Sequence, residues 1–143
     1  MNDNSYDWDS LWYLGAGGCQ NIDQIATSAK RIQLIEGLPA LAEQLRQAAA
    51  HHSHIQVEQQ VVAPQSGEIV FQEYNLKRVC GLREPDALQK IYPGLRCVQQ
   101  HTLIAQSMTD LIDEWSPAPE AHNLLIIDIP GSEIPLLESL MAS

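Results

Sequence analysis

Apolar and polar positions alternate along the first 62 residues in a pattern typical of parallel α/β sheets. Short apolar runs at residues 11–15, 32–36 and 55–62 predict three strands. The two segments between them, 21–30 and 39–50, carry apolar residues at helical spacing and predict helices. This alternation of strand and helix predicts a parallel sheet with right-handed crossovers.

The middle of the chain shows a different pattern. Residues 67–74 and 95–104 mix apolar and polar positions, which predicts two exposed or edge strands. We expect them to form an antiparallel addition that extends one side of the sheet. Segment 85–92 predicts a short helix, and segment 107–115 predicts a longer one with apolar residues along one side.

The last part of the chain again has the pattern of a parallel sheet. Residues 123–128 form an almost uninterrupted apolar run that ends in an acid, which is typical of a central parallel strand. A turn at 129–131 leads into a helix from about Ser132.

The length of the chain and its net charge narrow the classes of function that the sequence supports. A chain of 143 residues suits one domain, which we place at residues 11–143 after an acidic N-terminal tail at 1–10. Eighteen acids against eight bases give a formal net charge of −10, which repels nucleic-acid phosphate and anionic membrane surfaces. No apolar run approaches the roughly 20 residues that span a bilayer. We therefore expect no nucleic-acid partner, no membrane insertion and a cytoplasmic location.

Cysteine and histidine positions give no sign of a metal centre. The three cysteines are odd in number and widely spaced, unlike a disulfide framework or a zinc motif. His51, His52 and His54 lie within four residues, but in a helix-to-strand connection, where an imidazole favours the helix dipole. Because no fourth ligand is evident, we predict no metal site.

Candidate chemistry follows three of the predicted parallel strands. The sequence Gly-Ala-Gly-Gly at residues 15–18 follows the first strand, Glu36 ends the second and Asp128 ends the last. Glycines let the backbone approach a ligand, and a carboxylate accepts hydrogen bonds from ribose hydroxyls. This combination predicts an adenosine-type site. Each of these residues also has a structural explanation that involves no ligand. The glycines would serve the geometry of the turn, Glu36 would be a solvated acid at a strand end, and Asp128 would cap the next helix.

Taken together, these segments resemble the S-adenosylmethionine-dependent methyltransferases of the FkbM type. The resemblance covers nearly the whole chain, including the turn at 14–18, the acid at Glu36, the strand end at 63–64 and the helix start at 107–110. Its most specific part is similar to the family's Lys-Ile-Asp-Val-Glu-Gly-x-Glu signature and reads Leu125-Ile126-Ile127-Asp128-Ile129-Pro130-Gly131-Ser132-Glu133.

The resemblance implies a fold and a cofactor. The fold is α/β, a Rossmann-like class I methyltransferase three-layer sandwich that is shortened at the C-terminus. Its four parallel strands are expected in the spatial order Ile55, Ile32, Leu11 and Leu124, with one residue given for each. The cofactor is S-adenosylmethionine. The implied cofactor-binding residues are Gly15, Ala16 and Gly17 beside its methionine moiety, Glu36 at the ribose hydroxyls, and Asp128 near the methyl group.

The resemblance also implies a reaction, the O-methylation of a hydroxyl on a sugar or small metabolite. Asp128 would assist proton removal from this small-molecule acceptor, and Glu133 would lie on the acceptor side as the second catalytic carboxylate. Tyr13 and Pro130 stand where the family usually has acids. These departures keep open a second function, that of an inactive relative acting as a binding or scaffolding module. A sheet of four parallel strands also leaves the Leu124 strand at an open edge, for which we expect a homo-oligomer or a protein partner.

Overall fold

The computed structural model describes residues 6–17, 21–76, 90–129 and 133–142. Within these residues the fold is mixed α/β. The elements in chain order are β1 (Trp8–Leu14), α1 (Ile22–Ala26), β2 (Ala29–Glu36), α2 (Pro39–Ala48), β3 (Ile55–Gln59), β4 (Val61–Ala63), β5 (Gly67–Tyr74), β6 (Cys97–Ser107), α3 (Met108–Trp115), β7 (Asn123–Ile127) and α4 (Glu133–Met141).

The chain divides into two compact units, and the single domain expected over residues 11–143 stays a prediction. Unit 1 comprises Met1–Gln59 and Ser116–Ile127, and unit 2 comprises Gln60–Trp115 and Asp128–Ser143. No helix in the described part of the chain is long and apolar enough to cross a membrane.

Unit 1 contains a parallel sheet, sheet A, with the strand order β3-β2-β1-β7. This order confirms the prediction. Helices α1 and α2 pack on one face of the sheet, and alternate strand residues point toward them because the side-chain period of a strand is two. The core between sheet and helices contains Leu11, Ile32, Leu34 and Ile55 from the strands and Ile22, Ala26, Leu45 and Ala49 from the helices and the end of α2. A parallel sheet with covering helices is compatible with a Rossmann-like fold, and the three-layer methyltransferase class stays a prediction.

The helix predicted over residues 21–30 is wrong in its second half. Hydroxyl groups end α1 early, because Thr27 donates to the Gln24 carbonyl at 2.7 Å and Ser28 donates to the Ile25 carbonyl at 2.6 Å. The residues that follow belong to β2, whose first positions pair with β1. Strand pairing therefore overrides the helical spacing of the apolar residues.

Unit 2 contains a second sheet, sheet B, with the order β4-β6-β5. Strands β5 and β6 are antiparallel as predicted, but the expectation that they extend the parallel sheet is wrong. They form their own sheet with β4, which is parallel to β6. The strand predicted over residues 55–62 is divided between the two sheets at Gln60, whose side-chain amide donates to the carbonyls of Val61 at 3.1 Å and Ile104 at 3.2 Å.

The start of helix α3 is fixed by three polar side chains. Ser107 caps the helix, since its Oγ accepts the Asp110 N–H at 3.1 Å. Ser66 accepts the Ser107 N–H at 2.9 Å and donates to the Asp110 carboxylate at 2.8 Å. Helix α3 also contacts α4, which lies in the same unit. The helix predicted over residues 85–92 lies mostly outside the described residues.

Asp9 belongs to β1, although the sequence analysis assigns it to an N-terminal tail. Its carboxylate accepts the backbone N–H of His122 at 2.9 Å and contacts Lys30 Nζ at 3.0 Å. Two hydrogen bonds hold the pKa of Asp9 below its ordinary value of 3.8. The larger effect comes from the His122 N–H, and the next comes from Lys30. One carboxylate thus joins the amino ends of three neighbouring strands.

We predict that two neighbouring leucines of α4 differ greatly in how much they contribute to the free energy of unfolding. Leu136 is fully buried and Leu137 is 44% exposed. Leu136→Ala leaves a cavity and lowers the free energy of unfolding by about 2–5 kcal/mol, whereas Leu137→Ala costs about 1 kcal/mol or less. Urea denaturation of both variants measures this. Equal losses would contradict the packing of α4.

A second prediction concerns the titration of Asp9. Because its pKa is lowered by folding, the stability it contributes is present above pH 3.8 and is lost as the pH falls through the folded-state pKa. Lys30→Met should raise the pKa of Asp9 only part of the way to 3.8, because the His122 N–H remains. An NMR titration of the Asp9 carboxyl carbon measures its pKa in the wild type and in Lys30→Met, with Arg46→Met as the control. A wild-type pKa of Asp9 at or above 3.8 would refute the hydrogen bonds from His122 and Lys30.

Candidate functional site

The order of strands in sheet A reverses at β1. The chain runs from β1 to β2 and β3 on one side and returns later to β7 on the other. In open parallel sheets a ligand binds beyond the carboxyl ends of the strands at such a reversal. The residues that follow β1 in the described chain, Gly15, Ala16 and Gly17, therefore lie where this architecture holds ligands.

The turn after β1 is attached to β2 by its backbone. Gly15 has a φ of 78°, a left-handed conformation that favours glycine. The N–H groups of Gly15 and Ala16 both donate to the Ile35 carbonyl, at 2.8 Å and 3.1 Å. Ala16 is buried. The turn is thus held against the end of β2, where the sequence places its candidate carboxylate.

Glu36 binds this turn directly. Its Oε2 accepts the Gly17 N–H at 2.7 Å, and its Oε1 accepts the Leu38 N–H at 3.0 Å. The residue is only 6% exposed. A buried carboxylate is costly unless it is hydrogen bonded, and here two backbone donors stabilise it. Glu36 therefore organises both the turn after β1 and the turn that precedes α2.

Gly17 provides the space that Glu36 occupies. A Cβ at this position would lie 2.8 Å from Leu41 Cδ1 and would overlap the Glu36 carboxylate. Glycine is therefore required at residue 17 for close approach, whereas Gly15 is required for backbone conformation. Both glycines therefore serve the geometry of the turn, as one of the two interpretations of the sequence predicts. Their role in binding a ligand stays a prediction.

The structure brings together Gly15, Ala16, Gly17 and Glu36, which the sequence analysis assigns to cofactor binding. The predicted catalytic residues belong to unit 2. Asp128 directly follows β7 and is exposed, and Glu133 is half-buried in the first turn of α4. Residues 18–20 and 130–132, which complete the two motifs, lie outside the described residues.

Tyr13, at which the sequence departs from the methyltransferase motif that it resembles, lies in β1. The side chain is half-buried and packs against the core of unit 1. Sequence reasoning missed Leu38, whose backbone N–H binds Glu36. No signal in the sequence identifies a backbone donor, because its position depends on the turn and not on the side chain.

The histidines near the end of α2 have structural partners. His52 Nε2 lies 2.8 Å from Asp23 Oδ1, and His54 Nε2 lies 2.7 Å from the Ala26 carbonyl oxygen. Both contacts join the connection before β3 to α1. Among the residues that the structure describes, no group of three or more His, Cys, Asp or Glu side chains could hold a metal ion.

Unit 2 contains a separate open cleft of about 490 Å³. Its lining includes Tyr92, Leu95 and Asn75, and the Asn75 side-chain amide donates to the Gly94 carbonyl and accepts the Arg96 N–H. The described lining is thus mostly apolar and contains no carboxylate, imidazole or thiol.

Comparisons of the chain with protein-family models, with curated proteins and with solved structures found no match. The functional assignment therefore rests on the motif resemblance and on the geometry of unit 1. Within that geometry, the Glu36 carboxylate at the reversal of strand order is the most specific feature.

We predict that Gly17→Ala destabilises unit 1. The added methyl group displaces Glu36 or Leu41, and overpacking of this kind costs about 1–3 kcal/mol. Chemical denaturation followed by tryptophan fluorescence measures the loss. Gly94→Ala is the control, since a Cβ there meets nothing within 4 Å, and we expect it to change stability by about 1 kcal/mol or less. Equal effects at the two glycines would refute the close contact with Glu36.

Proposed function

We propose that unit 1 binds S-adenosylmethionine at the carboxyl-end edge of sheet A and that the chain is a methyltransferase of the FkbM type. Its acceptor in this proposal is a hydroxyl of a sugar or small metabolite. The observation that carries the proposal is the buried Glu36 carboxylate, which binds the Gly17 N–H beside the reversal of strand order.

The charges of unit 1 favour a nucleoside over a phosphate-rich dinucleotide. Its lysine and arginine residues are Lys30 and Arg31 at the start of β2 and Arg46 in the last turn of α2. These positions lie at the amino-end edge, away from the turn. The Gly17 N–H, which could otherwise bind a phosphate oxygen, is already bound by a carboxylate. A neutral or cationic nucleoside suits such an edge better than an anionic one.

Residues fit the proposed cofactor in distinct roles. In this proposal the turn at Gly15 and Gly17 lies beside the methionine moiety, and Glu36 accepts hydrogen bonds from the ribose hydroxyls. When bound, S-adenosylmethionine supplies an electrophilic methyl group. Asp128 would take the proton of the acceptor hydroxyl and Glu133 would assist on the acceptor side. Methyl transfer needs chiefly in-line positioning, so few catalytic groups are required.

One observation favours the second candidate function, an inactive relative that acts as a binding or scaffolding module. Tyr13 replaces the acid that would pair with the ammonium group of the cofactor, and its ring packs against the core of unit 1. An aromatic side chain at this position supplies no charge. A homo-oligomer or a protein partner that covers β7 at the open edge of sheet A belongs to this proposal as well.

Calorimetric titration with S-adenosylmethionine and S-adenosylhomocysteine tests cofactor binding. We expect saturable binding by the wild type, and Glu36→Gln should raise the dissociation constant about 5- to 150-fold, equivalent to about 1–3 kcal/mol, because a charged acceptor is lost. Glu43→Gln is the matched control, since Glu43 is an exposed acid of the same unit that contacts Arg46. We expect no change in its affinity.

Two results would overturn the proposal. The first is the absence of saturable binding at millimolar ligand by the wild type. The second is unchanged affinity in a folded Glu36→Gln protein, which would place any bound nucleoside elsewhere. Binding of both ligands without methyl transfer to any hydroxyl acceptor would instead favour the inactive relative.

A further inference from the structure

We draw no further inference here: the strongest candidate, the uncharged open edge of β7 in sheet A, carries none, because nothing in the described part of the chain shows what covers it.

Discussion

The hydrogen bond between the Glu36 carboxylate and the Gly17 N–H is the interaction on which the carboxyl-end edge of sheet A depends. It joins the turn after β1 to the end of β2, and the second carboxylate oxygen holds the start of the following turn at Leu38. The contact is possible only because residue 17 lacks a side chain. Burial makes the bond strong and makes its loss costly, since an unpartnered carboxylate in this position would be poorly solvated.

A second carboxylate has a comparable role at the opposite edge. Asp9 connects β1 to Lys30 of β2 and to the backbone before β7. The two acids differ in exposure, since Glu36 is 6% exposed while the Asp9 side chain is 40% exposed. Salt therefore weakens the Asp9 contacts more than those of Glu36. Unit 1 thus combines an apolar core against α1 and α2 with polar connections at both ends of its strands, and the candidate site lies at the end held by the buried carboxylate.

Much of sheet A was predictable because its strands are short apolar runs separated by clear turns. The order of the four parallel strands was expected from the resemblance to methyltransferase sheets, and the observed order agrees with it. The end of α1 was not predictable in this way. Its apolar spacing continues through Ala29, but the hydroxyls of Thr27 and Ser28 and the pairing of β2 with β1 end the helix earlier. Similarly, the run at residues 55–62 gives no sign that Gln60 divides it between two sheets.

The sequence by itself determined the parallel α/β pattern, the glycines after β1 and the acid at the end of β2, because strand periodicity and turn chemistry are local properties. Only the tertiary structure decided what these residues do to one another. It placed the Gly17 N–H on the Glu36 carboxylate, moved Asp9 from an expected tail into β1 and assigned β5 and β6 to a sheet of their own. These results depend on contacts between residues far apart in the chain, which local pattern does not encode.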